Sequence, residues 1–335
     1  MQALKSLFSR ALGWALCAAL LAAVPAQAQQ PSFTKPIRFI VPYPPGGPTD
    51  LTARAYAEKL GQYLGQPVVV ENKPGAQGVV AVQLVLQAPA DGYTIYFGTL
   101  STQVVSNVVN NYRKVPPSYD PLKDLVPVNI LGFSPLVVVA SNKSGIESYK
   151  QLGEALKANP GKLNYGSDGT GSLTHLGGEM LNQSFGTQSL HVPYKGTAEF
   201  SQALVTGDIQ FAVSGSVGAV NLLKQDRIKV LAVAGPRRMD QLPGVPTTAE
   251  LGYPGVDLTS WFGVFVKAGT PKAYVDAYAQ AITKASHDPE LVQRLTNAGI
   301  EMGAATTPEK FAAQIATEFQ RWTTVLDKAA IQFDK

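Results

Sequence analysis

Short β-branched runs alternate with helix-length segments along this chain, a pattern that confines it to strand–helix–strand units built around parallel sheets. Strands are expected at 37–41, 68–71, 94–98, 127–131, 136–140, 162–165, 190–192, 209–213, 229–234 and 261–267, with helices between most of them. The clearest helix is the last, where Phe311, Ile315, Phe319, Trp322 and Leu326 recur every three or four residues behind Thr307 as cap and Pro308 as first residue. That aromatic stripe reads as core. No internal repeat is visible.

The first 28 residues read as a signal peptide and not as part of the fold. Lys5 and Arg10 form a positive n-region, 11–24 is an apolar run shorter than the ~20 residues that span a bilayer, and Ala26-Gln27-Ala28 offers a small-x-small cleavage site. Export to a periplasm, with cleavage after about Ala28, is the expectation. Cys17, the only cysteine, lies inside this segment, so the mature chain is expected to hold no disulfide, zinc–thiolate site, iron–sulfur cluster or cysteine nucleophile. Losing Lys5 and Arg10 lowers the formal charge of +4 by two, and nucleic acid is not an expected partner. The remaining chain, 45% apolar and 16% charged over the full sequence, is long enough for two compact domains of ~150 residues.

Between the first expected strand and a helix-patterned run at 51–64 lies Tyr43-Pro44-Pro45-Gly46-Gly47-Pro48-Thr49-Asp50. A strand that stops in such a loop and restarts as a helix leaves backbone N–H groups at the helix N-terminus, where they can face an anion. Pro44 and Pro45 stiffen the chain, Gly46 and Gly47 allow positive φ and close approach, and Pro48 suits the first helical position. Asp50, in the first turn, is placed to bond back to loop amides. The plainer reading of the same residues is a well-capped helix start. A second loop, Ser167-Asp168-Gly169-Thr170-Gly171-Ser172, joins another strand to a helix, and Thr99, Ser101 and Thr102 follow a third strand. Two such loops could face each other across a cleft.

Catalytic and metal constellations are harder to find. His175, His191 and His287 show no metal-ligand spacing, and structural or surface roles are expected for all three. There is no Gly-x-Ser-x-Gly nucleophile elbow, Walker loop, dinucleotide fingerprint or useful carboxylate pair. No catalytic residue, metal or cofactor is therefore expected. What remains are neutral donors: loop amides, the hydroxyls of Thr99, Ser101, Thr102, Ser167, Thr170, Ser214 and Ser216, and Tyr194-Lys195-Gly196. Such a set suits reversible capture of a small anion, since each helix terminus adds only ~0.3–1 kcal/mol and several bonds must act together.

Several ordered segments have a familiar pattern: Val41 through Asp50, Val70-Glu71-Asn72-Lys73-Pro74-Gly75, Ala90-Asp91-Gly92-Tyr93-Thr94, Tyr119-Asp120-Pro121-Leu122, Asn159-Pro160-Gly161-Lys162, His191-Val192-Pro193-Tyr194-Lys195-Gly196, Leu242-Pro243-Gly244-Val245-Pro246 and Ser260-Trp261-Phe262-Gly263. Together, from about Pro31 to the C-terminus, they resemble the extracytoplasmic solute receptors of tripartite tricarboxylate transporters, the Bug-type family. The resemblance implies an α/β, type II periplasmic-binding-protein fold, two α/β domains with a ligand cleft between them. It implies domain 1 at 29–133 and 245–335, domain 2 at 134–244, and hinges near 132–136 and 234–236. Carried over residue by residue, the ligand would meet Tyr43, Pro45, Gly46, Gly47, Thr49 and Asp50, with Thr99, Ser101 and Thr102 beside them. Ser167, Gly169 and Thr170 would serve from the other side, with Tyr194 and Lys195 at the rim or floor.

The family often has an acidic residue and Asn after the Gln210-Phe211 position; here the run is Ala212-Val213-Ser214-Gly215-Ser216. The expectation is a pocket without a carboxylate at Ser214, suited to a ligand lacking an amine. The implied function is capture of a small mono- or dicarboxylate, aliphatic or aromatic, by a monomer that delivers it to the transporter's membrane components. A secreted hydrolase, or the sensory partner of a membrane signalling system, are the alternatives.

Overall fold

In the computed structural model the chain divides into two compact units, Met1–Ser32 and Phe33–Lys335. Residues 31–303 and 306–329 are described, so the expected signal peptide and Cys17 lie outside the described residues.

Every expected strand is present. The first sheet contains β1 (Ile37–Val41), β2 (Val68–Asn72), β3 (Thr94–Thr99), β4 (Leu125–Ser134) and β10 (Ser260–Lys267), in the order β2-β1-β3-β10-β4. The second contains β5 (Leu136–Ser141), β6 (Asn164–Ser167), β7 (Leu190–Pro193), β8 (Phe211–Gly215) and β9 (Ile228–Ala234), in the order β7-β6-β8-β5-β9. Both follow one plan. β1 pairs in parallel with β2 and β3, and β10 runs antiparallel between β3 and β4. In the second sheet β6 pairs in parallel with β7 and β8, and β5 runs antiparallel between β8 and β9.

This topology decides where a site can be. The carboxyl ends of β1, β3 and β4 share one edge with the start of β10, and those of β6, β8 and β9 share one edge with the start of β5. Pro135 alone joins β4 to β5, so the two edges are brought together at the crossing, where Ser134 pairs with Ser260 and Leu136 with Ala234. Ligands of open α/β sheets bind outside the carboxyl ends of the strands, and both sets of ends converge here.

Two strands shift by two residues, the first being the one expected at 162–165, which lies at Asn164–Ser167. The strand expected at 209–213 lies at Phe211–Gly215, because Gln210 is spent on a corner: its N–H donates to the Asn164 carbonyl and its Oε1 accepts the Asn164 N–H. After β9 the chain rejoins the first sheet only at Ser260. Thr247 bridges to Val233, the Val233 and Thr248 amides bond the Pro246 and Val233 carbonyls, and Leu258 N–H bonds the Ala234 carbonyl. The segment satisfies its own backbone by lying along β9, so it belongs with the second sheet.

The last helix, α10 (Pro308–Ala329), ties the two halves together. Phe311, Ile315, Trp322 and Leu326 are buried in one apolar cluster with Val105 and Val109 of the first half and Leu173 and Leu176 of the second, while Phe319 is partly buried at its edge. Phe311 sits edge-on to Trp261, 5.0 Å between centroids, and 5.3 Å from Phe265 on β10. Phe311→Ala should therefore lower unfolding free energy by ~3–5 kcal/mol, the cost of emptying a fully packed aromatic site, as read by urea denaturation. A loss below about 1 kcal/mol would mean α10 is not part of the cooperative core.

Candidate functional site

The loop after β1 leads into helix α1 (Pro48–Leu64), whose N-cap is Gly47. Asp50, almost fully buried, locks this junction. Its Oδ2 accepts the Gly46 N–H at 3.0 Å and Arg54 Nε at 3.0 Å, and its Oδ1 accepts Asn72 Nδ2 at 2.9 Å. The same Asn72 nitrogen lies 3.0 Å from the Tyr43 carbonyl, and Arg54 donates to Asn72 Oδ1 at 3.1 Å. Burial pushes the Asp50 carboxyl up, but Arg54, the Gly46 amide and Asn72 outweigh it and hold it below its ordinary value. Asp50 is thus a brace, as its place in the first turn suggested, and its charge is already answered. Gly46, at φ +87°, turns its amide into that brace and away from any ligand. The N–H groups of Gly47, Thr49 and Asp50 meet no acceptor among the described residues, which makes them the open donors at the α1 N-terminus. Pro45 is exposed beside them.

Tyr43 joins this loop to the one after β3. Its hydroxyl lies 3.2 Å from Thr99 Oγ1. Burial pushes its phenol up to about 12, the Thr99 and Ser101 hydroxyls work against that rise, and the charge of Asp168 in the second half adds to it. Thr102 does not face the cleft set as expected. Its hydroxyl is held by the Thr99 N–H at 3.1 Å and lies 3.4 Å from the Tyr96 hydroxyl, and its carbonyl accepts the Tyr119 hydroxyl at 2.7 Å. The cause is a π-helical turn at Ser101–Val105, which rotates Thr102 inward and leaves Ser101 partly exposed.

In the second half, the loop after β6 precedes helix α5 (Leu173–Phe185), capped by Ser172, whose hydroxyl accepts the His175 N–H. Ser167 is fully buried, its Oγ 2.7 Å from His191 Nε2, 3.1 Å from the Gly169 carbonyl and 3.2 Å from the Gly169 nitrogen. It shapes the loop and is closed to solvent. The Ser167–His191 pair has nucleophile-and-base distance, with the hydroxyl closed to solvent. Gly169 and Thr170 are partly exposed, and the Tyr194 N–H donates to the Ser167 carbonyl. Lys195 stands outward, its amide bonded to Glu199. Ser214 is buried at the end of β8, and Ser216 Oγ, buried at the start of the next helix, has no partner among the described residues. A Cβ on Gly171 would stand 2.7 Å from Val109 Cγ1, so this loop touches the first half directly and only glycine, at φ +80°, fits there.

Beneath the loop the His175 and His191 rings stack at 3.8 Å and 14°. The Gly171 N–H donates to His175 Nδ1 at 2.9 Å, which places the proton of neutral His175 on Nε2. His287 is remote, its Nδ1 2.7 Å from the Thr283 carbonyl. A cavity of about 210 Å³ lies at the crossing strands between Phe133, Arg237, Trp261, Glu301 and Glu318; none of the expected site residues lines it. Asp168, next to Ser167, is exposed, and its charge helps to raise the Tyr43 phenol, an influence that the sequence alone does not signal.

Two strand-end loops and an open helix terminus thus lie on one seam. The model of the tripartite tricarboxylate transporter family receptor matches residues 52–331. The chain belongs to this family. It is 33% identical to BugT of Bordetella pertussis over 87% of this chain and 88% of that one. Among solved structures it is similar to the periplasmic binding protein BugD (29% identity, TM-score 0.76, 90% of this chain and 99% of that). It is also similar to two Rhodopseudomonas palustris proteins. Rpa4515, solved with adipate, is 30% identical with TM-score 0.79, over 89% of this chain and 98% of that. MatC, solved with bound malate, is 29% identical with TM-score 0.77, over 88% and 99%. The fold is that of the two-domain periplasmic solute-binding proteins, and a periplasmic location follows from this membership.

Burial and the neighbouring His191 depress His175 to about 3. The unfolded chain takes up this proton near pH 6.5 and the folded chain refuses it, so stability is full above about 6.5 and falls as pH drops toward 3. Urea midpoints between pH 7.5 and 4 should decline, and His175→Gln should remove up to ~1.4 kcal/mol per pH unit of that slope. An unchanged slope in the variant would show that His175 is not the proton acceptor.

Proposed function

We propose that this receptor captures a small organic acid without altering it, one carboxylate resting on the Gly47, Thr49 and Asp50 amides beside the Tyr43–Thr99–Ser101 hydroxyls. The observation that supports this most is the unsatisfied α1 terminus braced by Asp50. A rigid set of neutral donors binds a carboxylate without first desolvating a cationic partner, and preorganisation reduces the ordering cost of binding. The partly exposed Gly169 and Thr170 close on the ligand from the second half, with Tyr194 behind them and hinging near residues 132–136 and 234–236. Ligands seen in the relatives, malate in MatC and adipate in Rpa4515, favour the dicarboxylate class for this chain as well. The remaining steps of the role are export with signal cleavage after about Ala28, action as a monomer, and delivery to the transporter's membrane components.

A ligand panel of C4–C8 dicarboxylates, benzoates, phthalates and citrate should yield saturable thermal stabilisation by at least one class, with the ligand recovered unchanged. Turnover abolished by His175 or His191 substitution would sink the receptor reading in favour of a hydrolase. Gly47→Asp provides the local test. Nothing lies within 4 Å of a Cβ at Gly47 and its φ of −81° suits any residue, so the fold should persist. The added carboxylate should weaken binding at least tenfold, ~1.4 kcal/mol. Affinity equal to wild type would move the carboxylate site elsewhere.

A further inference from the structure

The cleft is polarised. On the first half the α1 terminus presents open N–H groups, while the charge of Asp50 is consumed by Gly46, Arg54 and Asn72. On the second half Asp168 is exposed, immediately before Gly169, in the loop whose Gly171 abuts Val109 of the first half. Asp168 is also pinned. Its N–H donates to Thr174 Oγ1 at 3.1 Å and the same hydroxyl donates to its Oδ1, so the side chain is fixed by the first turn of α5. Its Oδ2 accepts nothing among the described residues.

We propose that Asp168 is the specificity-determining residue of the cleft, selecting an organic acid that carries a hydrogen-bond donor, hydroxyl or ammonium, beside the 167–171 loop. This rests on the carboxylate-receptor reading and sharpens it. A ligand that put a bare second carboxylate against Asp168 would set like charges together, which is unfavourable. A hydroxyl or ammonium there gives Oδ2 a partner and makes a charge-assisted bond. The influence of Asp168 on the Tyr43 phenol across the cleft agrees with this placement. Selection then arises from a repulsive element as much as from an attractive one. It also changes what the absence of a carboxylate at Ser214 implies: the acidic group is supplied from the other strand end.

The test compares acids of equal length: succinate, malate and aspartate, and adipate, 2-hydroxyadipate and 2-aminoadipate, titrated calorimetrically into the mature protein and into Asp168→Asn. Asparagine keeps an oxygen for Thr174 and removes the charge. Wild type should bind a substituted acid at least tenfold tighter than its unsubstituted parent, and Asp168→Asn should close that gap by binding the parent at least tenfold tighter than wild type does. A parent acid bound tightest by wild type, or unaffected by Asp168→Asn, overturns the assignment and leaves the carboxylate reading standing. Binding of none of the six overturns the dicarboxylate reading and this proposal with it. Asp168→Ser, which loses the Thr174 bond as well, separates charge from loop geometry. A gain confined to Asp168→Ser assigns the effect to loop rearrangement and overturns the proposal. Unliganded unfolding midpoints within a few degrees of wild type establish that both variants fold.

Discussion

The antiparallel insertion of β10 between β3 and β4 is the constraint on which the rest depends. β10 arrives from the far end of the chain after the whole second sheet has been built, yet it occupies the position next to the edge of the first, pairing Phe262 with Thr99 and Ser260 with Ser134. Until it does so, β3 and β4 have an unpaired gap between them, and their buried amides lack partners. The first half therefore cannot finish folding before the second has at least brought its ends together. Such non-local pairing is slow to form, but it leaves two chain crossings at one seam and so fixes which loops meet.

From that seam outward, the same local solution appears twice with different chemistry. In each half a strand ends, a glycine-containing loop follows, and a helix begins facing the cleft. In the first half a buried carboxylate, Asp50, is spent bracing the loop and its charge is cancelled, so the helix terminus keeps its positive character. In the second, bracing falls to neutral groups: Ser167 Oγ, the stacked His175 and His191 rings, and Thr174. That leaves Asp168 only partly engaged and able to act on a ligand. The two acidic residues sit in similar loops, and the number of donors around each decides which is structural.

Much of this was legible in the sequence. The strand–helix alternation, the core stripe of α10 and the Asp50 brace follow from periodicity and from the position of Asp50 in a first helical turn. What escaped depends on geometry that spacing does not encode. Thr102 belongs to a hydroxyl-rich run, but a π-helical turn rotates it into the Tyr96 and Tyr119 network. The Leu242-Pro243-Gly244-Val245-Pro246 stretch has linker composition, and only its amide partners on β9 place the segment that follows with the second sheet. Ser167 precedes the exposed Asp168 in a polar run and is nevertheless closed off, with His191 of the neighbouring strand against its hydroxyl.

The Ser167–His191 pair shows why distance alone does not make a catalytic dyad. A nucleophile needs a free face, a base that can take its proton, and donors aimed at the developing oxyanion. Ser167 Oγ has its surroundings filled by the Gly169 carbonyl, the Gly169 nitrogen and the imidazole, with none of its surface exposed. Attack would require breaking the contacts that Ser167 Oγ makes to Gly169, which sits at φ +131°. The His191 ring is itself stacked 3.8 Å from that of His175, so the pair is built into the support beneath the loop.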